Sequence, residues 1–411
     1  MKRSVHCLAC ATLLAACGSG LADGEWTGTI TDSAGVAIVA NPERGLWRDG
    51  QRWRIEEELR IGVADGEPEY QFGAIAWIDV DAEGRIYVLD QQAQNVRVFD
   101  GEGDYLRTIG RPGNGPGEFS PAVMAVIPAG GDTLFVPDAM QQRVHRFLAD
   151  GTEVGSFPIP LTEGISTKWK LLPDGRLAQE VRPAPTPNQD PAAQQVVLVR
   201  AGDGAIVDTL LHLPLGQTLR FQGGTARVRL FEPEPLWDVG DDGRMIQGVN
   251  SDYRIEIRTP DGELARIVTR PFQRQDVTEA DRQAFIDLFD EMFERQGVPP
   301  QARQLSLQTL EFADYYPAYM MIAAGPDGTL WVQHIQSAAE VAAAGGSFDA
   351  QNVGAPEWDV FDEDGRFLGV VAFPDRFQPF HFRGDAVYGL WRDDIDVQHV
   401  MRLRIVRPSG D

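Results

Sequence analysis

From Ile75 to Gly110 apolar and polar positions alternate in short runs, and glycine-bearing polar turns punctuate them. Ile75-Ala76-Trp77-Ile78-Asp79-Val80 leads to a turn at Ala82-Glu83-Gly84. Arg85-Ile86-Tyr87-Val88-Leu89 follows, then a loop and Asn95-Val96-Arg97-Val98-Phe99. Gly101-Glu102-Gly103 turns the chain again into Tyr105-Leu106-Arg107-Thr108-Ile109. A period of two with turns of this kind predicts four short antiparallel strands. The unit recurs. A second copy spans Val123 to Ile159. Later copies are marked by Asp174-Gly175 and Gly202-Asp203-Gly204, by Asp242-Gly243 and Asp261-Gly262, and by Asp327-Gly328 and Asp364-Gly365. A sixth runs from His381 to Val406.

The sixth copy stops after its third strand. Its missing fourth strand is found near the start of the chain, where Glu58-Leu59-Arg60-Ile61-Gly62 matches Tyr105-Leu106-Arg107-Thr108-Ile109-Gly110. The loops that follow match too, Gly66 to Phe72 beside Gly113 to Phe119. Four-stranded units arranged in a ring bury one another's faces, and a strand shared between the chain ends removes the open seam. The expectation is an all-β fold over residues 31–411: a six-bladed β-propeller of four-stranded antiparallel blades, closed by an N-terminal strand.

Turns between first and second strands, and between third and fourth, are short. Every large insertion falls in a second-to-third loop or a blade-to-blade connection: 183–194, 216–235, 272–317 and 336–356. These share one face of the disc, and loops on a rigid scaffold are where binding usually resides. Residues 272–318, between blades 4 and 5, read as a helical insertion. Thr278 and Asp281 form an N-cap pattern, and Phe285, Leu288, Phe289, Met292 and Phe293 recur at helical spacing. Gly297 and Pro299-Pro300 end the helix. Such a stripe either packs onto the propeller or serves as a lid.

The N-terminus changes the compartment. Lys2 and Arg3 precede a short apolar stretch from Val5 to Ala16, which ends in Leu14-Ala15-Ala16-Cys17. This reads as a lipoprotein signal peptide over residues 1–16, with lipidation at Cys17 and a tether over 17–30. Cys7 and Cys10 would leave with the leader, so the mature chain would hold no free thiol and no disulfide. Ser19, close after Cys17, resembles outer-membrane sorting in two-membrane bacteria, on the periplasmic or surface side. A net charge of -24 disfavours nucleic-acid binding and broad contact with anionic lipid, leaving membrane contact to the anchor alone. Only three lysines occur (Lys2, Lys168 and Lys170), which reads as a compositional bias toward arginine.

Gly115-Pro116-Gly117-Glu118-Phe119, Gly84-Arg85-Ile86-Tyr87-Val88 with Asp90, and Asn95-Val96-Arg97-Val98-Phe99 resemble NHL-type six-bladed propellers. Thr31-Asp32-Ser33-Ala34-Gly35-Val36 is similar to the start of bacterial 6-bladed β-propeller lipoproteins of unassigned role. The resemblance covers about residues 31 to 408. It implies export and the fold but brings no activity. Some six-bladed propellers are enzymes with a metal in the central channel. The matching channel-mouth positions here are Lys168, Glu234, Tyr319 and His381, with His334 on a nearby loop. These are the candidate ligand-binding residues; no catalytic residue and no metal ligand is assigned. His145 and His399 lie in strands and read as structural. Asp79, Asp81 and Glu83 superficially fit a Ca²⁺ loop, but they belong to the repeated hairpin, and other blades do not keep the acids.

The sequence therefore points to a monomeric, lipid-anchored binding or scaffold propeller without a cofactor. It would recognise a protein, peptide or glycan through the face carrying the long loops. The alternative is a hydrolase or lyase that uses Ca²⁺ or Zn²⁺ in the central channel. The reading leans away from catalysis.

Overall fold

The protein is described by a computed structural model covering residues 26–408 except 49, 185–192, 217, 223–224, 296, 338–339 and 341–353. Cys17 and most of the 183–194 and 336–356 insertions lie outside the described residues.

Two strands, β1 (Thr29–Ser33) and β2 (Val36–Ala40), precede β3 (Arg54–Ile61). Blade 1 is β4 (Ile75–Val80), β5 (Ile86–Asp90), β6 (Asn95–Phe99) and β7 (Tyr105–Ile109). A two-stranded ribbon of β8 (Arg111–Pro112) and β9 (Glu118–Phe119) leads to blade 2, formed by β10 (Ile127–Ala129), β11 (Thr133–Asp138), β12 (Arg143–Leu148) and β13 (Glu153–Pro158). Blade 3 is β14 (Ile165–Leu171), β15 (Leu177–Arg182), β16 (Gln194–Arg200) and β17 (Ile206–Pro214). After β18 (Leu219–Gln222) and β19 (Thr225–Leu230) comes blade 4, with β20 (Pro235–Val239), β21 (Met245–Val249), β22 (Arg254–Arg258) and β23 (Leu264–Thr269). The helices α1 (Glu279–Arg295) and α2 (Pro300–Leu307) and the strand β24 (Leu310–Phe312) follow. Blade 5 is β25 (Met321–Ala324), β26 (Leu330–Ile335), β27 (Gly354–Phe361) and β28 (Phe367–Ala372). Blade 6 is β29 (Phe377–Arg383), β30 (Ala386–Arg392) and β31 (Gln398–Val406), completed by β3.

The six-bladed all-β propeller expected from the repeat is the observed fold. Its hairpins form where the sequence places short polar turns. In blade 1 the Asp81 carboxylate accepts hydrogen bonds from the backbone N–H groups of Glu83 and Arg85, at 3.0 and 2.9 Å. Gly84 takes the left-handed conformation (φ 83°) that closes the turn. Asp362 repeats this arrangement with Asp364 and Arg366 in blade 5. Asp81, one of the acids read against a Ca²⁺ loop, thus ties down a hairpin.

Each seam between neighbouring blades holds its own apolar cluster. Examples are Leu89 and Val98 with Leu134 and Phe147 (blades 1 and 2), Val197 and Leu211 with Trp237 (3 and 4), and Trp358 and Val360 with Val387 and Leu403 (5 and 6). The last seam, blade 6 to blade 1, joins Ile61, Leu390 and Val400 to Ile78 and Val88. Closure is as the sequence implies: β3 runs antiparallel to β31, with Ile61 opposite Val400 and Glu57 opposite Leu403.

The N-terminal segment does more than close blade 6. The β1–β2 hairpin adds to the outer edge of blade 4, where β2 pairs in parallel with β23 (Ala37 opposite Arg266, Ala40 opposite Thr269). Asn41, buried, then links two blades. Its side chain donates to the carbonyls of Thr269 and Gly365 and accepts from Phe367 N–H at 2.7 Å. Leu46 and Trp47 N–H bond to the carbonyls of Phe367 and Leu368 on blade 5. The segment therefore straps the rims of blades 4, 5 and 6 in succession.

The 216–235 and 272–317 insertions form one unit. β18, β19 and β24 make a three-stranded sheet in which β19 and β24 are parallel. Thr278 and Asp281 cap α1 reciprocally: Thr278 N–H donates to the Asp281 carboxylate (2.9 Å), and Asp281 N–H donates to Thr278 Oγ1 (3.2 Å). Phe285 on α1 is buried against Phe231, with ring centroids 4.8 Å apart, and near Phe312 at 6.4 Å.

Candidate functional site on the channel axis

The first strand of each blade lines the central channel, and side-chain alternation decides what faces it. On β14, Trp169 points into the seam with blade 2 and is fully buried, so Lys168 and Lys170 on either side point the other way. Three of these inner strands carry a register shift: β4 between Ile75 and Trp77, β14 between Ser166 and Lys168, and β29 between Pro379 and His381. A bulge re-aims the side chains beyond it. The three bulged strands supply Asp79, the two lysines and His381.

One ion pair and one carboxyl–imidazole contact result. Lys170 Nζ lies 2.7 Å from Asp238 Oδ1 on β20, and the other oxygen of Asp238 accepts from Ala324 N–H of blade 5 at 2.9 Å. His381 Nδ1 lies 3.4 Å from Asp79 Oδ1, joining blades 6 and 1. Among the described residues Lys168 makes no ion pair. Its Nζ donates to the carbonyl of Trp237 and stands 4.6 Å from that indole's centroid. A second network continues toward the insertion face. Glu180 accepts from Thr167 Oγ1 (2.6 Å), Gln195 Nε2 (3.2 Å) and Trp237 Nε1 (2.5 Å). Arg182 bonds Glu234 at 3.0 Å, and Glu234 also accepts from Thr218 N–H at 2.6 Å.

The channel charges tune one another. Burial raises the Asp79 pKa against the pull of His381 and Lys170. Burial lowers that of His381, with Asp79 opposing. Burial works against charge on both Asp238 and Lys170, but their attraction outweighs it, holding the carboxyl low and the amine high. Lys168 is lowered by burial, with Asp238 opposing and Lys170 assisting. The channel remains wet enough to leave the Lys170 side chain 26% exposed and His381 20%.

The five residues singled out from sequence do not form one cluster. Lys168 and His381 share the channel, and Lys170 is the charge that links them. Glu234 pairs with Arg182 rather than with Lys168. Tyr319 is fully buried against Tyr253, with centroids 5.6 Å apart, and burial pushes its hydroxyl pKa up. His334 lies on β26 and bonds Asp359 at 2.7 Å, where Tyr253 and Arg270 also converge. Among the described residues no three His, Cys, Asp or Glu side chains gather as a metal site. Sequence reading passed over Lys170, Asp238, Glu180 and Arg182. A cavity of about 370 Å³ lies on the opposite, tight-turn face, between Asp241 and Arg244 of blade 4 and Pro326 to Thr329 of blade 5.

Residues 68–161 match a family model described as a 6-bladed beta-propeller. Among solved structures, the chain is similar to a putative exported protein from Bacteroides fragilis, at 13% identity and TM-score 0.52, covering 90% of this chain and 100% of that one. It also matches virginiamycin B lyase from Staphylococcus aureus, at 12% identity and TM-score 0.46, covering 86% and 100%. No curated protein matches. At 13% identity the likeness to the exported protein shows the fold alone.

Proposed function

We propose that the chain is an extracytoplasmic, lipid-anchored binding or scaffold propeller. It recognises a protein, peptide or glycan through the face carrying the long loops. The observation that carries this reading is the joining of two separate insertions into one capped, aromatic-cored unit on that face, while the described turns opposite are tight hairpins. A ring that needed only stability would gain nothing from ordering so much loop.

Binding is tested with glycan arrays, isolated cell-wall polymer and displayed peptide libraries. The full chain is compared with a variant lacking residues 276–298. The expected result is a saturable ligand for the full chain, lost in the deletion while the main thermal transition persists. Binding that survives the deletion unchanged overturns the role of this unit. Anchoring at Cys17 is tested by Cys17→Ser, which should move the protein from the detergent phase to the aqueous phase.

The alternative, a divalent-metal hydrolase or lyase, draws on the Asp79–His381 pair in the channel. Stoichiometric Ca²⁺ or Zn²⁺ in the purified protein would favour it over the binding reading.

A further inference from the structure

Of 37 basic Lys and Arg side chains only three are lysines, and the two within the described fold, Lys168 and Lys170, flank Trp169 on one inner strand. Guanidinium groups do occur among these networks: Arg182 on β15 pairs with Glu234, and Arg383 on β29 acts on His381. An ordinary ion pair here would therefore tolerate the residue this chain uses almost everywhere else. What arginine cannot do in a protein is give up its proton; a lysine can. The compositional bias thus isolates the two positions where a titratable amine stands.

The two amines are held differently. Lys170 is fixed as an ammonium by Asp238 at 2.7 Å. Lys168 has no carboxylate within ion-pair reach among the described residues, and its hydrogen-bond partner is a neutral carbonyl. The charged groups around it are Lys170 on its own strand, Asp238 on β20 and Glu180 on β15. Asp238 is committed to Lys170 and Ala324, and Glu180 to three donors. Burial and the neighbouring ammonium both favour the neutral amine at Lys168. A desolvated lysine beside a fixed cation is how amine nucleophiles are activated.

The geometry points to Lys168 as a reactive amine that condenses with a small aldehyde or ketone admitted to the central channel, beside the fixed ammonium of Lys170. The neutral Nζ adds to the carbonyl carbon and forms a C–N bond. The carbinolamine then loses its hydroxyl as water. Counted from the ammonium, one lysine and one carbonyl compound give one protonated imine and one water, and no oxidant or reductant is consumed. This site is independent of the insertion face and of what that face binds.

The test uses the full chain with glyoxylate as the carbonyl probe and cyanoborohydride to trap the imine, followed by peptide mass mapping. Lys170, two residues away, is the internal control. Each unit by which the Lys168 pKa is depressed makes its free amine about tenfold more abundant at neutral pH. The trapped carboxymethyl group should therefore accumulate faster on Lys168 than on Lys170. The half-maximal pH for labelling of Lys168 should fall below the 10.5 of an ordinary lysine. Asp238→Asn should raise labelling of Lys170, and Lys168→Arg should abolish the fast adduct with the melting transition retained. Equal labelling of the two lysines in the unsubstituted protein, or labelling of Lys168 only above pH 10.5, overturns the proposal, and this comparison stands even if a variant fails to fold.

Discussion

His381 illustrates how a single channel residue is set by groups brought from other blades. Burial disfavours its charged form, and the Lys170 and Arg383 cations add to that. Asp79, 3.4 Å away, and Asp241 oppose it. The net shift is downward from 6.5, so the unfolded chain binds the proton more tightly than the folded one. Stability from this group is therefore complete above pH 6.5 and is lost as pH falls toward the folded pKa, at no more than about 1.4 kcal/mol per pH unit. Asp79 has the opposite sign: its raised pKa favours the fold as pH falls through that pKa toward 3.8. Urea denaturation between pH 4 and pH 7 (at intervals of about one unit) separates the two. His381→Gln should flatten the acid-side decline, and Asp79→Asn should steepen it, because His381 then loses its main supporting charge. The sequence made Lys168 and His381 visible because each sits in the first strand of a repeated unit. Their partners were not visible, because Trp237 and Asp79 come from blades distant in sequence, and Asp79 reads locally as part of a hairpin.

At the level of elements, legibility follows the range of the interaction that makes each one. Helix α1 is written within twenty contiguous residues: a reciprocal cap at Thr278 and Asp281, then an aromatic stripe. What the stripe packs on is not, because β19 and β24 come from separate insertions and pair in parallel, with no connecting turn to announce them. The pairing of β2 with β23 escaped sequence reading for the same reason. The stripe packs rather than hanging free: Phe285 is 2% exposed and meets Phe231 and Phe312. Truncating such a residue costs about 3–5 kcal/mol. Because the insertion has its own aromatic core, that loss should fall on the insertion and not on the ring. Phe285→Ala is expected to make residues 272–317 a preferred site of limited proteolysis while the main thermal transition moves little. A main transition lowered as far as the proteolytic protection would mean that insertion and ring form one cooperative unit.

For the molecule as a whole, the decisive contact is the one between chain ends, legible because both the strand at Leu59 and the loop after it repeat a pattern seen in blade 1. The structure adds a second layer, the rim strap, with a different physical task. Removing β3 uncovers the backbone edge of β31 and part of the apolar seam between blades 6 and 1, since Ile61 belongs to that seam. Removing only residues up to 47 leaves closure intact. It frees the outer edge of β23, deletes the buried Asn41 bridge and takes Trp47 off Trp53. Unpaired sheet edges are templates for association. Three truncations therefore rank themselves. A chain starting at Trp26 should be monomeric and melt in a single transition. One starting at Arg48 should still fold as a ring but melt lower and associate through blades 4 and 5. One starting at Val63 should lose the cooperative transition or recover it only as an oligomer that borrows a strand. Light scattering on a sizing column and calorimetry read all three. A monomeric Val63 start with an undiminished melting temperature would mean that five and three-quarter blades hold themselves together, and the strand at Leu59 would lose its role as the closing element.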